Sequence, residues 1–369
     1  MEKRSRNLWL IVLSCIIIYG GLVLYCISSN KQKIQESTYD DWYHAYVIET
    51  TNGAYVNAGT KTKKVALSES QGYGMVITAL AAEKGYANEA RFDRLMQYYF
   101  ANRRSATSSL MKWKQTTLKK KWQSVDSNNA TDGDLDIAYS FILAAKLWPD
   151  NAASYKQAAS DLLADIKAEN YNAETGVLTV GNWATEDQTM RYLFRSSDVM
   201  PVYFEEFARF TNDSFWTTLE ETSAQKLLTL SSQHRTGLLP DFAWVTPTET
   251  KAVKAKTIAT KNDGNYGYNS ARMPLRLANS SNATIKKVQK KLLDFFRDQP
   301  IVYGGYTLKG KALGDYQSAS FSAPILYATN GKQAYSGLHS QEQWVYKYDI
   351  TGKEYYGDTL KTLVLLQLY

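Results

Sequence analysis

The sequence predicts a mainly α-helical domain behind one N-terminal membrane-spanning helix. Three features carry this. Apolar residues recur at i, i+3 and i+4 along most of the chain, as in "DLDIAYSFILAAKLW" and "EYYGDTLKTLVLLQLY". Only short stretches, such as "TGVLTVGNW" (175–183), read as extended. And "LWLIVLSCIIIYGGLVLYCI", from Leu8 to Ile27, is mostly apolar over 20 residues, long enough to cross a bilayer.

In chain order, residues 1–7 carry Lys3, Arg4 and Arg6, which mark a cytoplasmic tail. Residues 8–28 read as an uncleaved anchor, because no small-x-small site follows the apolar run. This places the protein in the cell membrane as a single-pass chain, with its domain extracellular. Residues 29–38 are polar and read as a linker. Residues 39–369 read as one domain, since no second linker or repeat interrupts them. Its helices are expected to begin near Ser70, Asn88, Asp134, Ala152, Ser197, Phe215, Asn269, Thr284, Ala323 and Glu354. Both cysteines, Cys15 and Cys26, fall in the apolar run. The domain therefore holds no disulfide and no thiolate site.

The net charge is +7, and its only clusters are "LKKKW" (118–122) and "KAVKAK" (251–256). Neither sits in a nucleic-acid-binding motif, so both read as solvated faces and no nucleic-acid partner is expected. Aromatics reach 13%, with 27 Tyr and 9 Trp, which suits packed helices and sugar-stacking surfaces alike.

The chemistry concentrates in acids. In Ser68-Glu69-Ser70-Gln71, Ser68 and Gln71 form a capping box, and Glu69 becomes the first helical residue. There the helix dipole favours a carboxylate. A proton-donating role needs burial or a second carboxylate to oppose the dipole. Gly72 and Gly74, either side of Tyr73, allow close approach of another chain or a ligand. Asp132, Asp134 and Asp136 crowd a second helix start, where like charges repel unless something uses them. "DGDLD" lacks the loop of an EF-hand, so no metal is expected. Asp198 and Asp241 lie beside prolines and aromatics. "NDGNYGYNSARMPLRLA" (262–278) offers Asp263, Tyr268, Asn269 and Arg272. His44, His234 and His339 stand far apart, and no GxSxG, P-loop or dinucleotide fingerprint occurs. Carboxylates with aromatics are the equipment of glycoside hydrolysis.

The chain resembles glycoside hydrolase family 8. "SESQGYGM" (68–75) is similar to that family's helix bearing the catalytic acid, with Ser70 where Gly is usual. "ATDGDLDIAYSFILAAKLW" (130–148) follows the family signature, with Phe141 in place of a smaller aliphatic. "MKWK" (111–114), "SSDVMPVYF", "TGLLPDF", "YGYNSARMPLRLA" and "YYGDTLKTLVLL" match further blocks in order, from about Asp40 to the C-terminus. The resemblance implies an all-α (α/α)6 barrel and inverting hydrolysis of β-1,4-linked polysaccharide without a cofactor. It makes Glu69 the proton donor and Asp132 a sugar ligand at the point of cleavage. Trp113 becomes a stacking platform, and Tyr268 and Arg272 flank the base. Tyr73, Asp134, Asp198, Tyr203 and Asn269 join them as substrate-binding candidates.

The base itself is open. Many members carry Asp where this chain has Asn269, and Asn does not accept a proton usefully. Asp241, Glu249 and Asp263 are the candidates, expected roughly 6.5–9.5 Å from the acid. The expected substrate is an exopolysaccharide or wall-associated glycan, cut internally at the cell surface near polysaccharide synthesis or export machinery. The competing expectation is a polysaccharide-binding assembly module whose base is lost.

Overall fold

The computed structural model describes residues 29–368, together with Leu13, Cys15 and Tyr19. The expected tail and anchor fall almost wholly outside these residues. Among the described residues, no helix is long and apolar enough to cross a membrane.

Fourteen described helices follow in order. They are α1 (29–46), α2 (Ser68–Glu83), α3 (Glu89–Ala101), α4 (Thr131–Leu147), α5 (Ala152–Glu169), α6 (Asn182–Glu186) and α7 (Pro201–Thr211). Then come α8 (Phe215–Ser232), α9 (Met273–Leu277), α10 (Ala283–Arg297), α11 (Ala319–Thr329), α12 (Ser336–Glu342), α13 (Trp344–Lys347) and α14 (Tyr355–Gln367). Six of them close a ring by successive packing: α2 on α4, α4 on α7, α7 on α9, α9 on α11, α11 on α14, and α14 back on α2. Each carries one outer partner. α3, α5, α8, α10 and α12 lie on α2, α4, α7, α9 and α11. α1 lies on α14, where Trp42 Nε1 donates to Thr359 Oγ1 at 3.0 Å and Tyr46 OH to Asp358 at 2.5 Å. This is a barrel of six inner and six outer helices.

The composition of each ring follows from its place. The inner helices are wrapped on most sides, so α2, α4 and α14 bury most of their residues, with small residues where backbones meet. An outer helix buries one stripe. In α10 that stripe is Ile285, Val288, Gln289, Leu292, Leu293 and Phe296, at helical spacing.

Alternation of inner and outer helices makes the inner six run parallel, so their N-termini gather at one end. The connections reflect this. Loops from inner to outer helices take three to six residues, at 84–88, 148–151, 212–214, 278–282 and 330–335. Loops from outer to inner helices are long and carry all twelve described strands, each two to five residues. One end of the barrel is therefore elaborated, and the inner-helix N-termini open onto it.

Several expectations are corrected. Residues 29–38 are not a linker but helix, with Gln35 buried and its amide on the Leu365 carbonyl at 2.6 Å. The helix expected near Asp134 starts at Thr131. The one expected near Ser197 is a 3-10 turn, Ser196–Asp198, followed by α7 with Pro201 at its first position, where proline lacks no needed N–H. The start expected near Ala323 is an interior stretch of α11, because Pro324 sits inside the helix rather than opening it.

Candidate active site

At the start of α2 the capping differs from the expected box. Leu67, not Ser68, is the N-cap. The Ser70 hydroxyl accepts the Leu67 N–H at 3.0 Å and lies 2.9 Å from the Val56 carbonyl. Gln71 is buried, donating to the Ala54 and Leu95 carbonyls at 3.0 and 2.8 Å. These bonds lock the first turn of α2 to the strand Gly53–Val56. Glu69 is left free to project into the barrel mouth from the second helical position.

Glu69 meets Arg272, which is fully buried at the turn Ser270–Arg272 ahead of α9. Arg272 is the hub of the site. Its Nη1 donates to Glu69 Oε2 at 3.1 Å, to Asp132 Oδ2 at 2.9 Å and to the Tyr73 hydroxyl at 3.3 Å. Its Nη2 donates to Ser197 Oγ at 2.7 Å and to Asn269 Oδ1 at 3.0 Å. The starts of α2, α4 and α9 and the turn before α7 are thus tied through one guanidinium. Tyr356, at the start of α14, closes the group with its hydroxyl on the Tyr268 carbonyl at 3.1 Å.

The three crowded aspartates are resolved in three different ways. Asp132 is paired with both Arg272 and Arg195. Burial alone would raise its pKa, but the two guanidiniums hold the carboxyl well below the usual range. Asp136 is bound by Arg276 through two bonds of 2.9 and 2.6 Å. Asp134 is in no ion pair among the described residues, and Arg104 acts on it only at longer range. Burial pushes it up to about 8, against donation from the Asn129 amide at 2.7 Å and the Met111 N–H at 2.9 Å. At neutral pH it is mostly protonated. It anchors the strand Ser108–Met111 and Asn129 rather than facing the opening.

Glu69 is the contrast to Asp132. Burial pushes it up to about 7, with Arg272 opposing and the Asp132 charge adding to the rise. Two carboxyls in contact with the same guanidinium therefore differ widely in acidity: near pH 7 Asp132 is ionised while Glu69 still holds its proton about half of the time, the arrangement that separates an acid from a charged ligand.

The three base candidates are not brought together. Asp263 is spent on its own loop: its oxygens accept from the N–H groups of Ile258, Ala259 and Thr260 and from the Thr260 hydroxyl, at 2.7–3.0 Å. Burial acts to raise its pKa, and these donors outweigh it and hold the group low. Glu249 is exposed on the hairpin of Phe242–Val245 with Thr250–Ala252, ion-paired to Lys251 at 2.6 Å. Asp241 is buried behind the Asn269 turn and caps it, accepting from the N–H groups of Gly267 and Ser270 at 3.0 and 2.8 Å. Burial pushes it up to about 6 despite those donors.

Asp198 differs from all three. It is 4% exposed, at the end of the turn that places Ser197 on Arg272. Neither of its oxygens has a hydrogen-bond partner among the described residues; Arg195 Nε stands 3.6 Å away. Burial pushes it up to about 7, with Arg195 opposing and Asp132 adding.

Among the expected sugar-contacting aromatics, Trp113 is half-buried beside the acid, its carbonyl accepting the Ser68 N–H at 2.9 Å and its indole N–H on Asp126 at 3.0 Å. Tyr268 is 47% exposed, edge-on to Phe321, with its hydroxyl 3.1 Å from Tyr316. Tyr73 and Tyr203 lie one turn below the opening. Arg276 stands over both rings at 5.6 and 5.4 Å, and Tyr203 stacks on Tyr139 at 3.8 Å. Tyr203 is thus placed among packed rings in the barrel, below the Glu69 group. Arg195 and Arg276 were not singled out from sequence. The visible signals were an Arg three residues before Asp198 and one four residues after Arg272.

Carboxyls of widely separated acidity at the mouth of a double-ringed helical barrel, flanked by exposed aromatics, define a polysaccharide-cleaving class. The model of glycosyl hydrolases family 8 matches residues 15–368, and the chain belongs to that family: it is a glycoside hydrolase. It is similar to a beta-glucanase of Niallia circulans, 32% identical over 346 residues that cover 90% of this chain and 83% of that protein. It is also similar to an endoglucanase of Bacillus sp. (strain KSM-330), 29% identical, over 89% of this chain and 74% of the relative. The solved apo structure of a beta-1,3-1,4-glucanase from Paenibacillus sp. X4 matches with a TM-score of 0.82 at 28% identity, covering 92% of each chain.

Proposed function

We propose that the protein cuts internal bonds of a β-1,4-linked glucan-type polysaccharide by single displacement with inversion. The observation that carries this is the pair Glu69 and Asp132 on Arg272: one carboxyl raised to about 7, the other held ionised. Glu69 protonates the leaving oxygen. Asp132 stays charged and binds the sugar at the point of cleavage. The names of the related glucanases support a β-glucan backbone.

For the base we take Asp198 over Asp241, Glu249 and Asp263. A base needs an unused acceptor in the group that contains the acid, with a pKa near the working pH. Asp198 has both oxygens unbonded and shares Arg195 with Asp132, whereas Asp241 and Asp263 each cap a turn and Glu249 points to solvent. Asn269 then serves as the acceptor that orients Arg272. Placement at the outer face of the cell membrane is supported by the apolar run within residues 1–28, and an exopolysaccharide substrate by the resemblance to the family.

The test is reducing-end release from β-1,4 and mixed-linkage glucans, with the anomer of the product followed by NMR. Asp198→Asn is expected to lower kcat by about 10²–10⁴-fold, the range of general-base loss, with Asp241→Asn and Asp263→Asn retaining most activity. Retained activity in Asp198→Asn rejects the base assignment. Binding of glucan without cleavage by the wild type rejects hydrolysis and favours an assembly module.

A further inference from the structure

Resting on that glucanase reading, we infer that the substrate chain is acidic, and that a lysine-covered sheet continuing from the cleft binds its anionic groups. The sheet consists of strands Val65–Leu67, Lys114–Leu118 and Lys121–Ser124, in that order. Residues 58–67 and 112–124, which build it with its approach loop, contain Lys61, Lys63, Lys64, Lys112, Lys114, Lys119, Lys120 and Lys121 and no acid. Of the 43 Lys and Arg of the chain, these eight stand in two segments that hold no acid, so the two segments together carry a local charge of +8.

The sheet is joined directly to the site. Its first strand runs into α2, and Leu67 pairs with Lys114, two residues before Glu69. Lys114 Nζ stands 5.2 Å over the Trp113 ring, and the Trp113 carbonyl holds the Ser68 N–H. From Lys114 the middle strand leads away to the turn Lys119–Lys120, about 17 Å at 3.4 Å per residue. Both turn residues have left-handed φ, 48° and 65°, which matches the primed turns of tight hairpins and fixes two ammonium groups at the tip. Lys114 and Leu118 share one face of the sheet by alternation. Lys121, cross-strand from Leu118, joins them there. Lys61, Lys63, Lys119, Lys120 and Lys121 are exposed. Asp126, the acid that follows the sheet, is engaged by the Trp113 indole.

Lys119, Lys120 and Lys121 are consecutive, and like charges that close are unfavourable unless an opposite charge lies along them. Continuity with Trp113 and Glu69 makes that partner the substrate itself. A β-glucan backbone bearing carboxylate or phosphate substituents fits, and a polycation such as chitosan is repelled.

The experiment compares carboxymethylated and neutral hydroxyethylated β-1,4-glucan of matched length as substrates for the full-length chain. The variant combines Lys61→Gln, Lys63→Gln, Lys119→Asn, Lys120→Asn and Lys121→Gln, with Asn at the two left-handed positions it tolerates. At low ionic strength, KM for the acidic polymer is expected to be roughly 3–10-fold below that for the neutral one. The gap should close near 0.5 M salt and vanish in the variant, with kcat on the neutral polymer unchanged. Equal KM values, or a gap that survives in the variant, overturn the inference. So does lysine-dependent binding to anionic lipid vesicles without discrimination between the polymers, which would make the sheet a membrane contact. If neither polymer is cut, the glucanase reading fails. Affinity electrophoresis still tests the sheet: stronger retardation by the acidic polymer, lost in the variant, upholds it, and equal retardation overturns it.

Discussion

Gly133→Ala tests how the acid is aimed. Gly133 lies in the first turn of α4, where that helix crosses the start of α2. A Cβ at this position would stand 2.4 Å from the Ser68 carbonyl carbon and 2.6 Å from the Glu69 nitrogen. Ordinary contact needs about 3.4 Å or more, so the backbone bearing Glu69 must retreat by about 1 Å. Overpacking of this kind costs about 1–3 kcal/mol of stability. A misplacement of about 1 Å at a reacting group costs on the order of 10²-fold in rate. The expected result is a variant that folds, with a lowered urea midpoint and kcat on soluble β-glucan reduced about 100-fold. Gly337→Ala is the control: a Cβ there meets nothing within 4 Å, and the position lies in a helix, so stability holds or rises slightly. A folded Gly133→Ala enzyme with kcat within about twofold of wild type would refute the claim that α4 sets the position of Glu69.

Other outcomes follow from the same network. Activity should trace a narrow bell in pH. Asp198, raised to about 7, must lose its proton to act, so rates fall as pH drops below that value; Glu69, also raised to about 7, must keep its proton, so rates fall as pH rises past it. A broad plateau from pH 5 to 9 would contradict both assignments. Asp136→Ala leaves Arg276 buried without its bidentate partner, and the loss is expected to be about 3–5 kcal/mol in urea unfolding; a change below about 1 kcal/mol would show that the pair does not hold α4 to α9.

Much of this site is local in sequence, and that part was legible. Glu69, Asp132 and Arg272 each sit in a short motif at an inner-helix start, because inner helices are buried on most sides and tolerate little variation in pattern. The helical class was legible through long apolar periodicity, whereas the closed ring was implied only by the resemblance to glycoside hydrolase family 8. What was illegible depends on partners far along the chain. Arg276 binds Asp136 across 140 residues, and no local pattern announces that. The base candidates look alike as sequence. Only the fold shows that Asp263 spends both oxygens on its turn and Asp241 its Oδ1, while Asp198 spends neither on a described residue. Helix α1 reads as a linker because its inward face near Gln35 and Thr38 is polar, so the apolar stripe that marks a helix is missing there.

In the proposed mechanism Glu69 gives the leaving oxygen its proton. The most direct measurement is reducing-end release by Glu69→Gln beside wild type, on a β-glucan and on an aryl β-glycoside of the same chain whose leaving group needs no proton. Gln suits the first turn of a helix, so stability should stay within about 1 kcal/mol. The expected result is a loss of about 10²–10⁴-fold on the polymer and a much smaller loss on the activated glycoside. Equal losses on both, or an undiminished rate on the polymer, would contradict that mechanism.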